Sequence, residues 1–230
     1  MAEVVLALDL PSGTEAMRLL ERIPTTPWVK VGSMLMTREG APLVRALVTR
    51  GHRVFLDLKW HDIPNTVAGA VRAARELGVT MATVHTLGGR TMMEAATEAS
   101  GGVLELVGVT VLTSHDEMSY ARAVGRDSVG VTDEVARLAD EAVAAGLAGV
   151  VCSPAEIEVV RRVLPDGARV VVPGIRAESD PAGDQVRIAT AAAAAAAGAT
   201  HLVVGRPILH AADPAAALAR LSAEAQCVRS

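Results

Sequence analysis

Eight short runs of apolar, β-favouring residues recur along this 230-residue chain, with helix-like stretches between them. The runs span 4–9, 28–32, 53–58, 81–85, 107–112, 149–153, 169–172 and 201–205. They are continuously apolar rather than alternating, as strands buried on both faces are. Between them the period changes. In 132–145, Val135, Leu138, Ala139, Ala142 and Val143 form one apolar stripe, with Thr132 the expected N-cap. Asp133 and Glu134 fall in the first turn and Gly146 ends the helix. Gly51, Gly78, Gly146 and Gly198 each stand between a helical stretch and the next strand. That repeated helix–glycine–strand junction punctuates βα units. Eight such units in 230 residues predict an α/β fold of the (β/α)8 TIM-barrel type, at the compact end of its size range. No linker or compositional break divides the chain, so residues 1–230 are expected to form one domain. The alanine run 191–197 lies where a helix is due, and alanine is the best helix former.

Half of the residues are hydrophobic, ample for a sizeable core. The only aromatic residues of the Phe, Trp and Tyr types are Trp28, Phe55, Trp60 and Tyr120. Ala and Val are therefore expected to fill the interior, with the eight methionines as gap-fillers. The net charge is −4 and the basic residues are scattered, which argues against a nucleic-acid partner. A few local arginines and backbone N–H groups can still hold an anion. Cys152 and Cys227 have no metal-ligand spacing and read as reduced, inert thiols. The chain enters the strand-like run Val4–Leu8 with no basic leader and no cleavage site. Its longest apolar stretch, the alanines, is too short and too weakly hydrophobic to span a membrane. A soluble cytoplasmic protein with no membrane partner is expected.

Barrels of this kind carry their chemistry at the C-terminal ends of the strands. Polar residues gather there: Asp9, Lys30, Asp57 with Lys59, His85, Thr113 with Ser114, Arg176, and Gly205 with Arg206. The densest segment is Asp57-Leu58-Lys59-Trp60-His61-Asp62-Ile63-Pro64-Asn65-Thr66. Strand alternation puts Asp57 and Lys59 on one face. Asp62 follows, before a helix opened by Pro64. An ammonium between two carboxylates is costly to build for stability alone and suits a charged proton donor. A lone Asp-x-Lys is ordinarily a solvated surface pair. Its place after an apolar strand, among other polar strand ends, reverses that reading. Loops after strands 7 and 8 commonly build a phosphate site. Gly205 lets backbone approach closely, Arg206 offers a bidentate fork, and the polar segment 176–185 reads as a lid. His61 is expected to make a structural hydrogen bond. His85 stays open between lining the pocket and serving as a core histidine. His115 and His210 are expected at the surface.

Over nearly its whole length the chain resembles the orotidine 5'-monophosphate decarboxylases. The likeness is carried by Leu8-Asp9-Leu10-Pro11-Ser12, Lys30-Val31-Gly32, the segment Asp57 through Thr66, and Val84-His85. It continues in Val111-Leu112-Thr113-Ser114, Pro173-Gly174-Ile175-Arg176, Asp184-Gln185 and Gly205-Arg206-Pro207-Ile208. The resemblance implies decarboxylation of orotidylate to uridylate without cofactor or metal, in a homodimer with active sites at the subunit interface. It implies Lys59 as proton donor, Asp57 flanking it from the same subunit, and Asp62 reaching the neighbour's site. Asp9 and Lys30 would bind the ribose region. Ser114 or Thr113 would contact the pyrimidine, the choice between them open. Arg176, Gln185, Gly205 and Arg206 would hold the phosphate, and Ile63 and Thr66 are further substrate-binding positions. The residue types fit that chemistry. Loss of CO2 from C6 leaves a carbanion that the ring stabilises poorly; a nearby ammonium stabilises the charge and then supplies the proton. Flanking carboxylates favour the charged lysine. Ala177 stands where the family often has proline, and Thr190 precedes alanines where a Thr-Pro start is common. Neither position touches a reacting group.

Two other readings compete. Magnesium-dependent sugar-phosphate decarboxylases and aldolases of the same suprafamily resemble this chain in an Asp-x-Lys-x-x-Asp strand end. Ile63-Pro64-Asn65-Thr66 after Asp62, and a lid framed by Arg176 and Gln185, favour the nucleotide enzyme. A non-catalytic nucleotide-binding barrel would not need Asp57, Lys59 and Asp62 together.

Overall fold

The computed structural model describes residues 1–176 and 189–226. The expected lid beyond Arg176, with Gln185, and Cys227 lie outside the described residues. Eight parallel strands pair in chain order and the last closes onto the first, so the expected (β/α)8 barrel is found. They are β1 (Glu3–Ala7), β2 (Trp28–Gly32), β3 (Arg53–Trp60), β4 (Met81–His85), β5 (Glu105–Val109), β6 (Gly149–Val151), β7 (Arg169–Val172) and β8 (His201–Val204). The surrounding helices are α1 (Gly13–Arg22), α2 (Ser33–Thr49), α3 (Pro64–Glu76), α4 (Arg90–Ser100), α5 (Glu117–Ala123), α6 (Val131–Ala144), α7 (Ile157–Val163), α8 (Ala191–Ala196), α9 (Arg206–Leu209) and α10 (Pro214–Gln226). Helices α5 and α9 are short additions after β5 and β8.

The unbroken apolar runs have two destinations. One set of side chains, including Leu6, Val29, Leu56, Ala82, Val170 and Leu202, packs outward into the core under the helices. The alternate set, Val5, Trp28, Phe55, Met81, Val107 and Val171, fills the barrel lumen. The lumen therefore spends two of the four aromatic residues, rather than being filled by Ala and Val alone. Among the methionines, Met81, Met92 and Met93 are fully buried, but Met34 and Met118 are exposed and fill no gap.

A polar layer closes the N-terminal end of the barrel. Trp28 Nε1 donates to Glu3 at 3.0 Å and Arg53 pairs with the same carboxylate at 3.2 Å. Arg169 forks onto Glu105 at 2.7 and 3.0 Å. His201 is buried there, edge-on to Trp28 with ring centroids 5.0 Å apart. Burial pushes its imidazole down to about 4.

The helix ends are as expected at the glycines: Gly51, Gly78, Gly146 and Gly198 have φ of 85°, 80°, 77° and 110°, conformations that an L side chain rarely adopts. The expected cap of α6 is corrected. Gly130 caps the helix without a side-chain bond, and Thr132 lies inside its first turn. Helix α8 is the alanine run, capped by Thr190, whose hydroxyl accepts from the Ala193 N–H at 3.2 Å. Among the described residues no helix is long and apolar enough to cross a membrane.

Candidate active site

The site is built by continuing the strands' own alternation. Val5 and Ala7 face the lumen, and two residues on, beyond the last ladder position, stands Asp9. By the same step Trp28 leads to Lys30, Phe55 to Asp57, and Met81 to Thr83. Apolar side chains thus plug the barrel while the next layer up is charged. Above them opens a cavity of about 630 Å³, of the size that holds a small ligand. Asp9, Lys30, Asp57 and Lys59 line it together with Arg176, Gly205 and Arg206.

The four charges form an alternating chain. Lys30 Nζ donates to Asp9 Oδ1 at 3.0 Å and lies 3.7 Å from Asp57 Oδ2. Lys59 Nζ donates to Asp57 Oδ1 at 2.9 Å. Lys30 and Asp57 are largely shielded from water, whereas the Lys59 side chain is 40% exposed and opens onto the cavity. Asp57 is thus faced by two ammoniums, and among the described residues Lys59 pairs with that carboxylate alone.

Strand β3 does not run regularly to this point. Leu56 pairs with Ala82 and Trp60 with Val84, so the register slips between them. Lys59 has φ of +51°, the one positive φ of a non-glycine residue among those described. Such a conformation costs on the order of 1–3 kcal/mol and persists where the surroundings over-determine it. Thr83, missing from the sequence reading, supplies part of that hold. Its hydroxyl accepts from the Lys59 N–H at 2.7 Å and donates to Asp57 Oδ1 at 3.2 Å. The alternation from Met81 was the available signal.

Arg176 is 6% exposed, and its Nε has no hydrogen-bond partner among the described residues. Its backbone N–H donates to the Ala189 carbonyl at 3.0 Å, beside a bridge between Ile175 and Ala189. A buried guanidinium nitrogen with its donor unused is costly until an acceptor meets it, and a phosphate oxygen is one that also matches its charge. Gly205 precedes α9, and its carbonyl accepts from Ile208 and Leu209. His210, expected only as a surface residue, is exposed yet lines the same rim. Cys152, expected as inert packing, is buried and lines the cavity wall.

Of the other expected residues, Thr113 joins this chain's cavity and Asp62, Ile63, Thr66 and Ser114 do not. Asp62 is exposed and its carboxylate accepts from the Ile63 N–H at 2.6 Å, whereas the ion pair of Lys59 is with Asp57. Ile63 is 67% exposed, and Thr66 is exposed at the start of α3. Thr113 lines the cavity while Ser114 beside it is exposed. Helix α5, which follows them, is tied to α6 by the buried Glu134, which accepts from Tyr120 at 3.2 Å and from Arg137 at 2.7 and 3.0 Å. The Arg137 bond holds the Glu134 carboxyl below its usual range. His61 makes no hydrogen bond among the described residues, contrary to expectation. Its ring stacks on His85 at 5.4 Å between centroids. His85 lies outside the cavity lining and its Nδ1 accepts from the Leu87 N–H. Burial above all, with the charges of His61 and Lys59, pushes it down to about 4. His115 is half-buried against Tyr120 rather than free at the surface.

Known proteins share the fold and much of the sequence. A family model described as "Orotidine 5'-phosphate decarboxylase / HUMPS family" matches residues 2–221. The orotidine 5'-phosphate decarboxylase of Halorhodospira halophila is 51% identical over 229 residues, covering 96% of this chain and 94% of that protein. That of Alkalilimnicola ehrlichii is 50% identical, covering 97% and 96%. The crystal structure of orotidine 5'-phosphate decarboxylase from Lactobacillus acidophilus superposes with a TM-score of 0.87 at 34% identity, over 98% of this chain and 100% of that one. With half of its residues identical to such relatives along almost its full length, the chain belongs to the orotidine 5'-phosphate decarboxylase / HUMPS family.

Proposed function

We propose that this chain decarboxylates orotidine 5'-phosphate to uridine 5'-phosphate, the last step of de novo UMP synthesis, without a cofactor. The observation that carries the reading is the Asp9–Lys30–Asp57–Lys59 charge chain, facing the same cavity as the buried Arg176. The names of the relatives support the same substrate.

Phosphate bound by Arg176, Arg206, Gly205 and Gln185 anchors the nucleotide, and remote binding energy offsets the cost of a demanding geometry at the base. Asp9 and Lys30 take the ribose. Thr113 and Ser114 border the pyrimidine, and Thr113 is the one on the cavity wall. The C6–carboxyl bond breaks, CO2 leaves and the electron pair stays on C6. The Lys59 ammonium, aimed by Asp57, stabilises that charge and transfers one proton to C6. The lysine then regains a proton from water.

In our reading residues 1–230 form one decarboxylase domain that works as a cytoplasmic homodimer. Asp62, Ile63 and Thr66 are exposed outside their own cavity and stay accessible to a second copy. A second copy placed there brings Asp62 to the neighbour's Lys59. The magnesium-dependent sugar-phosphate reading is less favoured, because the Asp9 and Asp57 carboxylates are each engaged by a lysine. The test is the loss of orotidylate absorbance with purified protein in excess EDTA. Uridylate is expected at undiminished rate. No turnover, or activity that returns only with magnesium, would overturn the proposal.

A further inference from the structure

We infer that Thr83 is a positioning residue for the proton donor: one buried hydroxyl fixes both the backbone and the ammonium end of Lys59. The inference rests on Lys59 acting as proposed above.

The slip in the β3–β4 ladder is centred on this residue. Between the pairs Leu56–Ala82 and Trp60–Val84 stand Asp57, Leu58 and Lys59 on one strand and Thr83 alone on the other. A bulge of this kind re-aims side chains and leaves ladder groups unpaired. Here the side chain of Thr83 takes over the missing partnership. It is fully buried, with 0% exposure.

The direction of each bond is set by chemistry. The Lys59 N–H can only donate, so it donates to Thr83 Oγ1 at 2.7 Å. That leaves the single hydroxyl proton free for Asp57 Oδ1, 3.2 Å away, an oxygen that only accepts when ionised. The same Oδ1 accepts from Lys59 Nζ at 2.9 Å. The peptide nitrogen of the lysine and the carboxylate that aims its ammonium therefore hang on one oxygen atom. Lys59 sits at φ +51°, a conformation it leaves once its restraints are gone. Removing the hydroxyl orphans the Lys59 N–H, takes a donor from Asp57 and lets both relax together.

Valine matches threonine in shape and stiffness at χ1 but has no hydroxyl, so Thr83→Val removes the two bonds and keeps the packing. Thr83→Ser keeps the hydroxyl. A displacement of about 1 Å at a reacting group costs about a hundredfold in rate, which sets the expected loss in kcat for Thr83→Val. Affinity for uridine 5'-phosphate, measured by calorimetry, is expected within about threefold of the parent, because the phosphate contacts are elsewhere. Thr83→Ser is expected within about threefold of the parent in both quantities. Hydrogen exchange at the Lys59 amide gives a readout that needs no substrate. Protection there is lost in Thr83→Val, kept in Thr83→Ser, and unchanged elsewhere in the barrel.

The inference is overturned if Thr83→Val keeps kcat, if Thr83→Ser falls as far as Thr83→Val, or if uridylate affinity falls in step with kcat. Should Thr83→Val fail to fold, Thr83→Cys keeps the volume and weakens both bonds, and the same split is expected. If the parent does not turn over orotidylate, the decarboxylase reading fails. The Lys59 amide then decides separately, since unchanged protection in Thr83→Val removes the structural basis for Thr83's role.

Discussion

Arg176 offers the sharpest quantitative test of how the cavity holds its ligand. Arg176→Met keeps most of the apolar stem and removes the charge. In the free protein Arg176 is 6% exposed and its Nε lacks a partner among the described residues. A buried ion with incomplete hydrogen bonding costs several kcal/mol, so the free variant is expected to melt at or above the parent's temperature. With a phosphate the balance reverses. Each charge-assisted bond is worth about 1.5–3 kcal/mol, and a guanidinium fork makes two. Allowing for imperfect geometry, the loss is about 3–5 kcal/mol, a fall in uridine 5'-phosphate affinity of roughly 10²–10⁴-fold. Uridine lacks the phosphate and is expected to bind both proteins alike. Calorimetry gives the affinities and a thermal melt gives the linkage. At a nucleotide concentration of about 100 times the parent's Kd, the parent gains about 2.7 kcal/mol of stability and the variant about 0.4 kcal/mol or less. Equal losses for nucleotide and nucleoside, or a nucleotide loss below about tenfold, would refute a phosphate role for Arg176.

Asp62 is expected to act in trans. Inactive Lys59→Ala and inactive Asp62→Ala proteins, mixed and allowed to exchange subunits, form heterodimers in which one site carries both defects and the other neither. Activity should return towards half that of a normal dimer, and exchange confirmed by mass spectrometry without any activity would place Asp62 in its own subunit's site. A second expectation concerns pH. His201 has a folded value of about 4 against an ordinary 6.5, so between those limits the unfolded chain binds the extra proton. The stability contributed by the neutral His201 is therefore fully present above pH 6.5 and is lost as pH drops towards 4, by up to roughly 3 kcal/mol. His85 contributes in the same direction, reduced by its greater exposure. Urea denaturation at pH 7 and pH 4.5 checks this, and His201→Gln should flatten the difference; an equal slope in the variant would contradict it.

Strand positions were legible because a strand buried on both faces leaves a continuous apolar run, and β2, β4 and β7 fall where those runs lie. Their far ends were less so. The runs expected to end at Asp9, Leu112 and Ser153 end as strands at Ala7, Val109 and Val151, with one further backbone bond from each of Leu8, Thr110 and Cys152. Alternation outlasts the ladder at β1, where Asp9 stands beyond the last paired residue, whereas Lys30 and Asp57 are still paired within β2 and β3. The four charges were found because a charge following a buried run is conspicuous. Thr83 was not, because a threonine within a strand is unremarkable until its cross-strand partners are known. The slip at Asp57–Lys59 was likewise hidden: simple alternation puts both residues on one face, while the lysine reaches the cavity through a bulge and a positive φ. Asp62 was placed correctly after the strand, but its partner cannot be read from one chain's residue order.

One paired measurement addresses the proton-donor role of Lys59. Parent and Lys59→Ala proteins are assayed for orotidylate turnover, and both are titrated with uridine 5'-phosphate. General-acid catalysis is worth about 10²–10⁴-fold and one electrostatic donor about 10²–10³-fold, so turnover in the variant is expected to fall by about 10⁴-fold or more. Uridylate, which develops no charge at C6, should still bind. Turnover in Lys59→Ala within about tenfold of the parent would contradict the assignment.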